Sequence, residues 1–179
     1  MEDILYENLG EGRLQYVSLQ SGILNAEGKG LGVVTADFDN DGWMDLYVAN
    51  DTVRNFLYRN NQHGGFEDMT ILSGTGYNEE AKAEAGMGTD AADYDADGLM
   101  DLIVTNYDME TNALYRNQSD WLFTDERAAA GVTRADRFLL GFGTGFFDFD
   151  NDGDLDLFSC NESEYQFPSQ LFRNEGDNT

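Results

Sequence analysis

One sentence written three times constrains this chain more than any other feature. Gly32 to Asn50 reads GVVTADFDNDGWMDLYVAN, Gly88 to Asn106 reads GTDAADYDADGLMDLIVTN, and Gly143 to Asn161 reads GTGFFDFDNDGDLDLFSCN. Each copy sets aspartates at positions one, three, five and nine of a loop, with glycine at position six and β-rich apolar runs on both sides. The loops begin at Asp37, Asp93 and Asp148, at spacings of 56 and 55 residues. A second marker recurs out of phase every 57 residues, as Leu57-Tyr58-Arg59-Asn60, Leu114-Tyr115-Arg116-Asn117 and Leu171-Phe172-Arg173-Asn174. A fainter copy, Leu5-Tyr6-Glu7-Asn8, opens the chain. Such a period means that one supersecondary unit builds the core by stacking on copies of itself.

One unit parses into four short strands. Strand one (31–38) runs into the Asp loop, strand two (45–49) leaves it, strand three (55–59) carries the LYRN marker, and strand four (66–70) follows a hairpin turn at 61–65. The expected fold is all-β, built of β-propeller blades of four antiparallel strands with about three blades per chain. Residues 1–179 then form one repeat domain: a partial blade of strands three and four over 1–30, blades over 31–86 and 87–141, and a blade lacking its outer strand over 142–179. Arg13 to Ser18 is the candidate to supply that outer strand, from the same ring or from another copy. Glu79 to Ala85 and Asp125 to Ala130, stopped by Gly86 and Gly131, have the composition of one or two helical turns. Closure of a propeller takes about four to eight blades. The chain is therefore a piece of a longer array, half of a two-chain ring (a homodimer), or an open array; unpaired edges favour association.

The loops carry the chemistry. Calcium takes six to eight oxygens, which a tight loop supplies from alternating side chains and one backbone carbonyl. The side-chain ligands expected are Asp37, Asp39, Asp41 and Asp45 in the first loop, Asp93, Asp95, Asp97 and Asp101 in the second, and Asp148, Asp150, Asp152 and Asp156 in the third. Trp43, Leu99 and Asp154, at position seven, would contribute carbonyls. Three Ca2+ ions per chain follow. An EF-hand shares the opening but needs a bidentate Glu at position twelve. Here that position is Val48, Val104 or Ser159, which excludes it. Four convergent carboxylates also suit calcium better than hydrated magnesium.

The charge agrees. Against 10 Lys and Arg stand 35 Asp and Glu, a formal net charge of −25, which argues against nucleic acid or an anionic membrane as partner. No window of 18 apolar residues implies membrane insertion, and Met1-Glu2-Asp3 opens no signal sequence. The single Cys gives no disulfide framework.

The combination of a Phe-Gly or similar pair (Phe142-Gly143, with Leu31-Gly32 and Met87-Gly88 as variants), D-x-D-x-D-G-x-x-D-L and N-x-L-Y-R-N resembles the FG-GAP repeat. That repeat is the calcium-bearing blade of integrin alpha-subunit propellers, and the wording is nearest to cartilage acidic protein type (VCBS-like) repeats and their bacterial relatives. The resemblance implies a seven-bladed propeller, calcium in the loops, an extracellular or secreted setting, and adhesion or ligand binding.

Few other residues suggest chemistry. His63 lies in the hairpin turn and reads as solvated, and Cys160 takes the slot of Ala49 and Thr105 as a small buried strand residue. The clusters Gly28-Lys29-Gly30-Leu31-Gly32 and Gly141-Phe142-Gly143-Thr144-Gly145 fit strands packed near a propeller axis. Arg59, Arg116 and Arg173 recur with the blade and read as partners of nearby carboxylates. The nonrepeating loops 50–54, 106–111 and 161–169, with Tyr77 and 134–138, form the candidate recognition face. The expected function is a noncatalytic calcium-binding module that engages a protein or glycan ligand. The alternatives are a carbohydrate- or phosphoester-active enzyme using Asp51, Asp108 and Glu162, and a self-assembling building block.

Overall fold

A computed structural model describes residues 3–25, 27–107, 109–133, 139–162 and 169–176. They form thirteen strands and two short helical turns. A two-stranded hairpin, β1 (Tyr6–Asn8) and β2 (Leu14–Tyr16), comes first, followed by α1 (Ser18–Ser21). The next sheet is β3 (Gly30–Ala36), β4 (Asp45–Asn50), β5 (Phe56–Asn60) and β6 (Phe66–Asp68), followed by α2 (Thr70–Ser73). A second four-stranded sheet is β7 (Gly86–Ala92), β8 (Asp101–Asn106), β9 (Ala113–Asn117) and β10 (Phe123–Asp125). The last is β11 (Leu140–Phe147), β12 (Asp156–Glu162) and β13 (Gln170–Phe172). All pairings are antiparallel and meander in chain order, as blades do.

Strand alternation explains the stacking. On β4, Tyr47 and Ala49 face the third sheet in the chain, where Leu102, Val104 and Tyr115 meet them; Val48 faces the hairpin with Ile23, Phe56 and Tyr58. On β8 the opposite face carries Ile103, packed with Leu114 and Leu157 toward the last sheet. Central strands buried on both faces favour apolar residues on both, which is why 46–49 and 102–104 read as continuous apolar runs.

Each first strand carries a bulge at the glycine pair, between Gly30 and Gly32, Gly86 and Thr89, and Gly141 and Thr144. A Cβ on Gly32 would lie 2.6 Å from the Met87 carbonyl oxygen, and one on Gly88 2.1 Å from that of Phe142. Glycine is required there because the first strands of successive sheets touch backbone to backbone. At Gly143 an added Cβ meets nothing within 4 Å, since no described sheet follows.

Three expectations are corrected. Residues 79–85 are a turn and an extended segment, not a helix: Asn78 Oδ1 accepts the Glu80 and Lys82 amides, Ala81 sits at φ 58°, and Glu84 is drawn into a buried ion pair. The helical turns come earlier in the unit, at α1 and α2, each ended by a left-handed glycine (Gly22, Gly74). At 125–130 a turn does form, with the Ala130 amide donating to the Glu126 carbonyl before Gly131 at φ 74°. Within the chain, residues 14–16 pair with 6–8, as strands four and three of the partial first blade, and do not supply the outer strand beside β13. Cys160 is exposed, because the neighbours that cover Ala49 and Thr105, Gly86 and Gly141, have no described counterpart beyond it.

Candidate metal centre

The three Asp loops sit at the same end of their sheets, between first and second strand, and share one internal geometry. In the first, Asp37 accepts the Asp41 amide (3.0 Å) on Oδ1 and the Gly42 amide (2.8 Å) on Oδ2. Asp41 Oδ1 accepts the Trp43 amide at 2.9 Å. Asp93 with Asp97 and Gly98, and Asp148 with Asp152 and Gly153, repeat this to within about 0.3 Å. The turn needs left-handed backbone at positions four and six. Asn40, Ala96 and Asn151 (φ 56° to 61°) fill the former, and Gly42, Gly98 and Gly153 (φ 88° to 100°) the latter.

The ninth aspartate sits deeper. Asp45, Asp101 and Asp156 are at most 1% exposed, and both oxygens of each accept backbone amides. Asp45 accepts from Phe38 (2.9 Å) and Asn60 (2.8 Å). Asp101 accepts from Tyr94 (3.2 Å) and Asn117 (2.8 Å), and Asp156 from Phe149 (2.9 Å) and Asn174 (2.8 Å). Burial pushes the Asp45 carboxyl up to about 6 and the Asp101 carboxyl up to about 7, in spite of the amides that favour the charged form. Burial, with Asp41 alongside, also raises Asp39.

Carboxylate oxygens converge in each loop. Those of Asp37, Asp39 and Asp41 lie within 4.8 Å of one another, as do those of Asp93, Asp95 and Asp101, and of Asp148, Asp150 and Asp156. The fourth carboxylate of each predicted set, Asp45, Asp97 or Asp152, falls outside that radius but borders the same turn through the bonds above. Among the described residues, the marker arginine supplies the positive charge paired with each loop. Arg59 reaches Asp39 (3.3 Å) and Asp41 (3.7 Å), Arg116 reaches Asp95 and Asp97, and Arg173 reaches Asp150 (3.0 Å) and Asp152 (3.4 Å). One guanidinium against four carboxylates, or five in the third loop with Asp154, leaves each loop strongly anionic. An all-oxygen donor set of this density suits a hard divalent cation.

The arginines were legible as carboxylate partners. The role of the marker asparagine was not. Asn117 Nδ2 donates to Met100 O (3.1 Å) in its own loop and to Phe38 O (2.9 Å) in the loop before. Asn174 Nδ2 likewise donates to Leu155 O (3.3 Å) and Tyr94 O (2.9 Å). The 57-residue recurrence was the available signal.

Of the acids considered for catalysis, Asp51 is half-buried beside the end of β4 and Glu162 is exposed at the end of β12, in different sheets. Asp108 lies outside the described residues, as do 134–138 and Tyr165, Phe167 and Pro168. His63 is exposed in its turn.

Stacked antiparallel sheets of four, four and three described strands, each with an Asp-rich turn between its first two strands, define a repeat protein of the propeller-blade type. The family model described as the FG-GAP-like repeat matches residues 2–48, 37–104 and 93–159, and the chain belongs to that family. No curated protein matches the chain.

Proposed function

We propose that this chain is a calcium-stabilised propeller module that presents a noncatalytic binding surface outside the cell. The observation that carries the reading is the recurrence of a converging carboxylate cluster in each of the three Asp loops, at one end of the stack. Calcium in each cage would neutralise the cluster and tie strand one to strand two, with the carbonyls of Trp43, Leu99 and Asp154 completing the shell. Ligand recognition is assigned to the opposite end, where the loops differ between sheets. A cleft of about 480 Å³ opens there, lined by residues including Asn78, Lys82, Glu84, Glu110 and Thr111, and fits a protein or glycan ligand. Further sheets, from a longer parent chain or a second copy, would cover Leu31 and Val33 (59% and 63% exposed) and the open backbone at Gly143. The extracellular setting rests on family membership.

The test is thermal unfolding in calcium and in chelator. A ligand at 100 times its dissociation constant stabilises by about 2.7 kcal/mol per site, so calcium raises the midpoint by many degrees. Identical midpoints in both conditions refute a structural role.

A further inference from the structure

The three Asp loops form one connected series. In the first two loops the residue at position two is held at both of its backbone polar atoms. The Phe38 amide donates to Asp45 of its own loop, and the Phe38 carbonyl accepts Asn117 Nδ2 from the next sheet. The backbone amide of that same Asn117 donates to Asp101, the ninth aspartate of the next loop. Asp101 in turn accepts the Tyr94 amide, and the Tyr94 carbonyl accepts Asn174 Nδ2. The Asn174 amide then donates to Asp156 in the third loop.

The side chains at position two follow the same path. Phe38 is buried edge-on against Phe123 of the neighbouring sheet, and Tyr94 lies flat on Phe146 of the sheet after it, with ring centroids 6.3 Å apart and planes 8° from parallel. Phe149, in the loop with no described sheet beyond it, is 41% exposed. A direct strut adds to the first junction, where Asn40 Nδ2 donates to Gly98 O at 3.0 Å. At the second junction Ala96 takes the place of Asn40 and offers no donor.

From this relay we propose that cation binding is cooperative along the stack, with each occupied loop raising the affinity of its neighbour. The inference rests on the cation reading above. A loop whose carboxylates repel one another is loose, and a cation that closes it fixes the position-two carbonyl. That carbonyl anchors the marker asparagine, which then holds the next loop's ninth aspartate in its binding position before a cation arrives. The second cation meets a loop already ordered and loses less conformational freedom on binding. Coupling of this kind is typically about five-fold or more in affinity.

The experiment titrates calcium into the full chain by calorimetry, with amide NMR reporting each loop separately. Three proteins are compared: the wild type, Asn117→Ala and Asn60→Ala. Asn60 occupies the same marker position, but its Nδ2 donates only to Met44 O within its own loop among the described residues, so it controls for loss of the local bond. The wild type and Asn60→Ala are expected to bind with a Hill coefficient above 1. In Asn117→Ala the first two loops should titrate independently, the second about five-fold or more weaker, with the third less affected. Should Asn117→Ala fail to fold, Asp37→Asn replaces it: emptying the first loop should weaken calcium at the second by the same factor. Calcium bound at three independent sites of unchanged affinity in the variants overturns the coupling while leaving the cation reading intact. No calcium bound by the folded wild type overturns both.

Discussion

Asp101→Asn should change the sign of its effect on stability according to whether calcium is present. In the metal-free protein the Asp101 carboxyl is fully buried, and burial raises it from 3.8 to about 7. The folded chain therefore holds this proton more tightly than the unfolded chain. As pH rises from about 4, the unfolded state releases its proton first and stability falls; the whole penalty is present above about pH 7. The gap between 3.8 and about 7 amounts to about 4 kcal/mol. Asparagine removes that penalty but turns an amino group toward one of the two amides, from Tyr94 and Asn117, that the carboxylate accepts, costing about 1–3 kcal/mol. In chelator at pH 8 the variant should thus be about 1–3 kcal/mol more stable than the wild type. In saturating calcium it loses a ligand and should be less stable by about 3 kcal/mol or more. Urea unfolding at pH 8 in both conditions reads the two numbers. Destabilisation of equal size with and without calcium would show that Asp101 serves only as a hydrogen-bond acceptor, and the reasoning would fail.

Arg127→Met strands Glu84, which is 8% exposed and accepts both terminal nitrogens of the guanidinium at 2.9 Å; it should cost about 3–5 kcal/mol by urea unfolding, with much of the loss recovered in Arg127→Met/Glu84→Gln. Gly88→Ala, whose Cβ would overlap the Phe142 carbonyl, should destabilise by at least about 1–3 kcal/mol, whereas Gly143→Ala, with open space, should change the same midpoint by less than about 0.5 kcal/mol. Ala96→Asn, at φ 58°, should stabilise by about 1 kcal/mol, because asparagine tolerates the left-handed backbone that alanine resists. Leu102→Ala, fully buried between two sheets, should cost about 2–5 kcal/mol on thermal or urea unfolding.

The Asp loops and the strands around them were legible because their requirements are local. Carboxylates at alternate positions with a glycine at the sharp turn dictate a tight loop, and the marker run dictates a strand, whatever lies elsewhere. What sequence could not show depended on partners far along the chain. Residues 79–85 have helical composition, but Glu84 is held by Arg127, 43 residues on, and Ala85 by Glu110. The Asn117 side chain finds Phe38 across 79 residues, so its recurrence was visible and its partner was not. Cys160 was read by analogy with Ala49 and Thr105, but burial at that slot belongs to the following sheet. The α2 turn, TILS, starts after Met69, which offers no cap; Asp68 Oδ1 accepts the Thr70 amide at 3.0 Å, and Thr70 Oγ1, accepting the Leu57 amide at 2.9 Å, anchors the turn by a tertiary bond that composition does not reveal.

Anomalous scattering from crystals grown in millimolar calcium measures the matter most directly. Three peaks are predicted, one each among Asp37, Asp39 and Asp41, among Asp93, Asp95 and Asp101, and among Asp148, Asp150 and Asp156, with a carbonyl oxygen from Trp43, Leu99 or Asp154 at about 2.3–2.6 Å. A well-ordered map with the marker arginines lodged among those carboxylates and no peak in any loop would contradict the account.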